Sequence, residues 1–242
     1  MTDFQKFMKA FHVYNLDKRI IEIRFLHGFH GIASGYFNNP EEAFNEVGKY
    51  WRDYTSYFTL QGLNEDIMAR NPNKLKIGTH MTSDGDVKYY LFIHVDIDPV
   101  RPSGIQATDE EAKGAYKRAK EVIDFLHTTA DFPMPIVVFS GNGTTLDYRF
   151  ETPVPTSKEN IDLMKSFLET LAMLFSDNVA DIDRKVYNPA RIIKLPGTIS
   201  AKGTHTEDRP YRYSRIIEEG DVNIGVTISQ FQEIASIGKE IK

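Results

Sequence analysis

The sequence predicts an α+β fold: a sheet with helices packed on it, joined to a second lobe of mixed helices and strands. Three observations carry this. Residues 89–98, YYLFIHVDID, alternate with period two, with Leu91, Ile93, Val95 and Ile97 on one row and Phe92, His94, Asp96 and Asp98 on the other. A helical stripe from Ala112 through Ala115, Tyr116, Ala119, Val122, Ile123 and Leu126 then joins this strand to a second apolar strand, Ile136 to Phe139. A long helix between two apolar strands reads as a crossover, which needs a sheet to pack on. Finally, the first ~85 residues carry their own alternation of helix and strand, which divides the chain into lobes 1–85 and 86–242.

Taken in order, Phe4, Phe7, Met8 and Phe11 recur at helical spacing and open the chain with an amphipathic helix. Residues 20–26 and 31–37 read as strands around a Gly-rich turn in which His27 and His30 are polar loop residues. Asn39-Pro40 opens a helix with Glu41 and Glu42 in its first turn and Phe44, Val47 and Trp51 on one face. Residues 56–60 read as a strand, Asn64 starts a short helix that Pro72 ends, and Asp84-Gly85 turns into the central strand. Pro99 cannot donate to a ladder and closes that strand.

Thr108 with Glu111, and Thr156 with Glu159, form capping-box patterns. The second precedes a helical face of Ile161, Met164, Leu168, Leu171 and Phe175. Between the two helices, 140–143 (SGNG) forms a turn and 146–150 a strand. Residues 211–217 read as one strand, and Ile228, Phe231, Ile234 and Ala235 mark a last amphipathic helix.

Composition narrows the function classes. With 41% hydrophobic and 26% charged residues the chain is an ordinary globular one, with no apolar run of membrane-spanning length and no signal-peptide pattern. It holds no cysteine, which excludes disulfides and thiolate metal sites within it, and a cytosolic protein is the simplest fit. The net charge of −5 argues against coating nucleic acid over the whole surface. That charge is uneven. Residues 184–215 hold eight Lys or Arg against Glu207 and Asp208, so this segment is +6 and the remainder −11, the pattern of a localised contact with phosphates or of a solvated loop.

The chemistry concentrates at the end of the central strand. Asp96 and Asp98 on one face repel each other and are costly to bury, and a divalent cation with hard oxygen ligands offsets that cost most directly. An isolated Asp-x-Asp equally fits a strand whose acidic end reaches solvent. The glycines of Ser140-Gly141-Asn142-Gly143 permit close approach of backbone N–H groups to an anion, although hairpin loops use the same residues. Asp183, behind an apolar Ile182 and ahead of the basic stripe, stands as a third carboxylate.

VDIDPVRPSG (95–104), SGNG (140–143) and IDRKVYNPARIIKLPGT (182–198), in that order, resemble the three motifs of the archaeo-eukaryotic primase superfamily, in its primase-polymerase group from phages, plasmids and mobile elements. YFTLQGLNEDIMARN (57–71) is also similar to that group. The resemblance spans roughly residues 50–217 and rests most on VDIDP together with NPARIIKLPGT. It implies an RRM-like catalytic sheet across a cleft from an N-terminal αβ lobe, and a nucleotidyltransferase that makes DNA or RNA from NTPs or dNTPs on a DNA template or primer, in the cytoplasm of a prokaryotic or phage-infected cell. Matched residue by residue, Asp96, Asp98 and Asp183 would hold two Mg²⁺ or Mn²⁺ ions. Ser140, Gly141, Asn142, Gly143, Arg191, Lys194 and Lys202 would orient the triphosphate.

One position departs from that pattern. The glycine loop of the group usually continues to a histidine that contacts triphosphate, and here Thr145 stands there. His94, on the face of the Asp pair, is a second candidate for that contact. The chain has no zinc-finger ligands and no Walker-type GxxxxGK[ST], so helicase or template-loading functions fall to another domain or partner. Two rival readings are a catalytically impaired nucleotide- or nucleic-acid-binding module of replication or defence, and a different Asp-x-Asp enzyme such as a glycosyltransferase or nuclease. NPARIIKLPGT has no evident place in the latter.

Overall fold

The computed structural model describes residues 3–26, 31–50, 54–221 and 223–240. His27, His30 and Trp51, and the side chain of Phe4, lie outside the described residues.

Helix α1 (Asp3–Val13) buries Phe7 and Phe11, and Phe7 meets the Phe44 ring of α2 (Pro40–Val47) at 5.5 Å. Asn39 caps α2, its side-chain oxygen accepting from the N–H groups of Glu41 and Glu42, with Pro40 in the first turn where its missing N–H has no partner to lose. Strands β1 (Ile21–Leu26) and β2 (Ile32–Phe37) pair antiparallel, and β3 (Thr55–Thr59) lies on the other side of β1. A short 3₁₀ turn over Glu65–Arg70, capped by Asn64, leads to β5 (Lys76–Ile77) at the edge beside β2. Before that turn, the two-residue strand β4 (Gly62–Leu63) leaves this sheet and pairs with the central strand β6 (Val87–Pro99).

The second sheet is built on β6. Helix α3 (Asp109–Ala130) opens at the Thr108–Glu111 capping box and carries the chain to β7 (Ile136–Phe139) and β8 (Thr144–Pro155). Strand β8 sits between β6 and β7 and is antiparallel to both, so β6 and β7 run parallel without touching, as a helical crossover requires. Helix α4 (Lys158–Phe175) is capped by Ser157, whose side chain accepts from the Asn160 N–H, one residue later than the Thr156–Glu159 pattern suggests. Thr156 is otherwise engaged, its hydroxyl donating to the Val87 carbonyl on β6. Strand β9 (Ala180–Ile182), which the sequence did not announce, pairs with the end of β6. Then β10 (Ile192–Lys194) returns to the first sheet beside β3, giving it the order β10-β3-β1-β2-β5.

The single strand expected over residues 211–217 is two. β12 (Arg212–Tyr213) pairs with β11 (Ile199–Ser200), and β13 (Arg215–Glu218) turns away to pair with β7. Ser214 is the pivot, fully buried, with its N–H donating to Thr198 O and its hydroxyl to Leu195 O. Helix α5 (Ile228–Glu240) closes the chain against α4 and α3.

Two cores result. Ile93, Val95 and Ile97 of β6 pack under α3, α4 and α5, whereas Phe92, with Ile136 and Val138 of β7, belongs to the core of the first lobe. A bulge moves Leu91 off its expected row and onto the first-lobe side, with Tyr90 taking the helix side. Gln61 holds the bulge, its side-chain oxygen accepting from the N–H groups of Leu91 and Phe92 and its amide donating to Phe92 O at 3.0 Å. Past Phe92, the same face of β6 opens into a cleft between the sheets.

Candidate functional site

That cleft, about 510 Å³, is lined by Asp96, Asp98 and Asp183 together with Ser140, Asn142, Thr145, Arg191, Lys194 and Lys202. The alternation of β6 puts Asp96 and Asp98 on its wall, and β9 delivers Asp183: Asp98 pairs with Asp181 across the strands, and the Asp183 N–H donates to Asp96 O at 2.9 Å. Burial and the charge of Asp98, with Asp183 adding to them, push the Asp96 carboxyl up to about 7. Tyr57, on β3 across the cleft, is likewise raised, by burial and then by Asp96 and Asp98. Asp98 has turned to Arg101, 3.3 Å from its guanidinium, and Asp183 accepts from the Lys185 N–H.

Three carboxylates, one of them crowded enough to take up a proton near neutrality, fit a hard divalent cation in donor chemistry. As they stand, no three His, Cys, Asp or Glu side chains among the described residues converge into a closed metal cage.

The turn at 140–143 packs under this end of β6. A β-carbon on Gly143 would collide with the Ile97 carbonyl and meet the Asp98 Cα at 3.2 Å, and Gly141, at φ +100°, has Ser200 against it. The Gly143 N–H donates to Ser140 Oγ, and the Ser140 N–H to Gly143 O. Asn142 is buried, accepting from the Ala107 N–H at 2.7 Å and donating to Ser200 Oγ. The sequence reading gave these residues to an anion. The structure gives the glycines a packing reason and engages the Asn142 side chain and two of the N–H groups inside the protein.

Thr145 on β8 faces Asp96 across the ladder. Two residues on, Asp147 faces His94, with Oδ1 2.5 Å from His94 Nδ1, and its Oδ2 accepts from the Tyr14 hydroxyl at 2.5 Å. Burial alone would lower the His94 imidazole, but the Asp147 charge and hydrogen bond outweigh it and hold its pKa above the ordinary value. Sequence reasoning found His94 and missed its partners, as well as Tyr57 and Arg101 on the cleft wall.

The basic residues come from the opposite side. The Arg191 Nη2 donates to Lys185 O, while its Nε is buried with no partner. Lys194, on β10, donates to Ile199 O and stands 5.4 Å over the Tyr57 ring, and burial pushes its ammonium down to about 7. Lys202 is exposed at the rim.

No protein-family model matches this sequence, and no curated protein matches it. Solved structures match its fold. The archaeo-eukaryotic primase (AEP) domain of the primase-polymerase of cyanophage S-2L superposes with a TM-score of 0.55 at 11% identity, over 96% of this chain and 97% of that one. Primase RepB' does so with a TM-score of 0.54 at 11% identity, over 99% of this chain and 64% of that one. The catalytic domain of RepB' in complex with initiator DNA gives 0.50 at 10% identity, over 99% and 96%. Two larger antiparallel-paired sheets, each with helices packed on it and with a cleft between them, thus have the fold of an AEP primase-polymerase domain.

Proposed function

We propose that the protein is a DNA-directed nucleotidyltransferase of the primase-polymerase kind, adding NTPs or dNTPs to a primer or starting a strand de novo. The observation that carries this is the cleft itself: three carboxylates line it near the junction of β6 and β9, and Arg191, Lys194 and Lys202 line the same cavity. An acidic pole for cations beside a basic pole for phosphates is the arrangement a nucleoside triphosphate needs.

Asp96, Asp98 and Asp183 would hold two Mg²⁺ or Mn²⁺ ions, which would neutralise phosphate charge and activate a primer hydroxyl. Arg191, with its unpartnered Nε, and Lys194 bind and orient the phosphates. Thr145 offers a hydroxyl beside Asp96. The Tyr57 ring lies 5.4 Å from the Lys194 ammonium on that side of the cleft. RepB', one of the matching folds, has been solved with initiator DNA, which supports DNA as the template here.

Primer extension in Mn²⁺ with labelled nucleotides tests the reading, and Asp96→Asn is expected to abolish it. Mn²⁺ is also expected to raise the melting temperature of the wild type and not of Asp96→Asn, a readout independent of activity. A variant that extends at the wild-type rate sinks the assignment. The second reading, a binding module that no longer synthesises, is favoured by the Asp98–Arg101 contact and the absence of a closed cage among the described residues. It predicts nucleotide binding without extension.

A further inference from the structure

The basic stripe between residues 184 and 215 does not end in the carboxylate cleft. Arg212 and Arg215 line a second hollow of about 750 Å³, a groove between α3 and β13. The two hollows lie on opposite faces of the second sheet, one on either side of the turn at 140–143. Ser140 and Asn142 line the cleft, the flanking Phe139 and Thr144 line the groove, and β11–β12 bridges them with Ser200 on the cleft side paired to Arg212 on the groove side. Strand β13 is the outermost of its sheet, so the groove opens to solvent along that edge.

The groove is positive on an acidic protein. Arg212 is held by Asp109 at 2.6 Å, but Lys113 on α3 and Arg215 on β13 are exposed and have no carboxylate partner among the described residues. Its cations lie against aromatic planes: the Arg215 guanidinium stands 4.6 Å from the Phe139 ring centre, and Lys120 stands 4.8 Å over Tyr116, which lines the groove. Three cations, Lys113, Arg212 and Arg215, thus line the groove with one acid, Asp109, while Glu218 stands beside it 3.5 Å from the Tyr116 hydroxyl. The Phe139 ring is buried beneath Arg215, so the exposed guanidinium plane and the half-buried Tyr116 are the surfaces on which unpaired bases could stack, with the positive charge beside them for phosphates.

We propose that the groove between α3 and β13 binds single-stranded nucleic acid on its way to or from the carboxylate cleft, with Lys113 and Arg215 on its phosphates. What the strand does in the cleft rests on the polymerase reading; its binding in the groove does not.

The test is fluorescence anisotropy of a labelled oligo-dT, and of a duplex of equal length, in metal-free buffer. The Lys113→Ala/Arg215→Ala double variant is expected to bind oligo-dT at least tenfold more weakly. Its slope of log affinity against log salt should be shallower by about 1.4, for two lost phosphate contacts at ~0.7 each. Duplex binding should change less, and the melting temperature and the KM for nucleotide should stay level. The proposal is overturned if the double variant keeps wild-type affinity and slope, if single strand and duplex are lost equally, or if the wild type binds no oligo-dT. A wild type that extends no primer but loses oligo-dT through these two substitutions would sink the polymerase reading and leave the groove standing.

Discussion

Lys194 carries two opposed consequences of one burial. Its ammonium is pushed down to about 7, against about 10.4 in an unfolded chain. Between those values the unfolded chain holds a proton that the folded one lacks, so stability rises with pH across that window. Below about 7 the folded state carries the full cost of a buried charge. Lys194→Met is therefore expected to raise the melting temperature by roughly 5 °C at pH 6, with the gain fading by about pH 10. The same substitution should weaken tripolyphosphate binding about tenfold at pH 6 and hardly at pH 9, where the wild-type amine is already neutral. Calorimetric titrations and melts at the two pH values check both signs, and a melting gain equal at both would mean that the charge is not buried. At this scale the acids were legible, because period-two alternation alone sets Asp96 and Asp98 on a common face. The Tyr14–Asp147–His94 chain was not, since its members lie 133 and 53 residues apart and only the folded sheet brings them together.

Elements were legible where periodicity was long and illegible where a strand is two or three residues of edge pairing. The central strand, the α3 capping box and the five α-helices among the described residues follow from spacing. Strands β9 and β10 do not, because their pairing with β6 and β3 is decided by partners far along the chain. The split at Ser214 is of the same kind: an extended run is indifferent to which sheet it joins, and the hydrogen bonds to Leu195 and Thr198 choose. The turn at 140–143 shows what tight element packing demands. Gly143→Ala would drive a methyl group into the Ile97 carbonyl and against Asp98. We expect a loss of about 1–3 kcal/mol in urea denaturation, because both neighbours are backbone of a central strand and cannot swing aside. Extension activity should fall with it, since displacing β6 here moves Asp98. Unchanged stability would mean that the turn sits farther from β6.

On the scale of the whole molecule, the two lobes are tied together by chain from both halves. Strand β10, from the C-terminal half, extends the first sheet, and β4, from the N-terminal half, extends the second. The third tie is polar: Tyr14, at the end of α1, donates to Asp147 on β8, and Asp147 holds His94 on β6, all three inside the protein. Burial, then the Asp147 charge, raises the Tyr14 hydroxyl well above its ordinary pKa, so it remains a donor at any working pH. Removing different members should therefore have unequal effects. Tyr14→Phe keeps the ring packed against Phe58 and Phe92 and loses one hydrogen bond to a charged group, about 1.5–3 kcal/mol. Asp147→Ala leaves both a phenol and an imidazole unpaired in the interior and should lose about 3–5 kcal/mol. With Tyr14 already phenylalanine, Asp147→Ala has one fewer partner to strand, so the double variant should be more stable than the two separate losses added together. Urea denaturation of the four proteins in metal-free buffer measures this coupling. Strict additivity would show that Tyr14 and Asp147 do not act as one contact and that the lobes are held by β4, β10 and the shared apolar core alone.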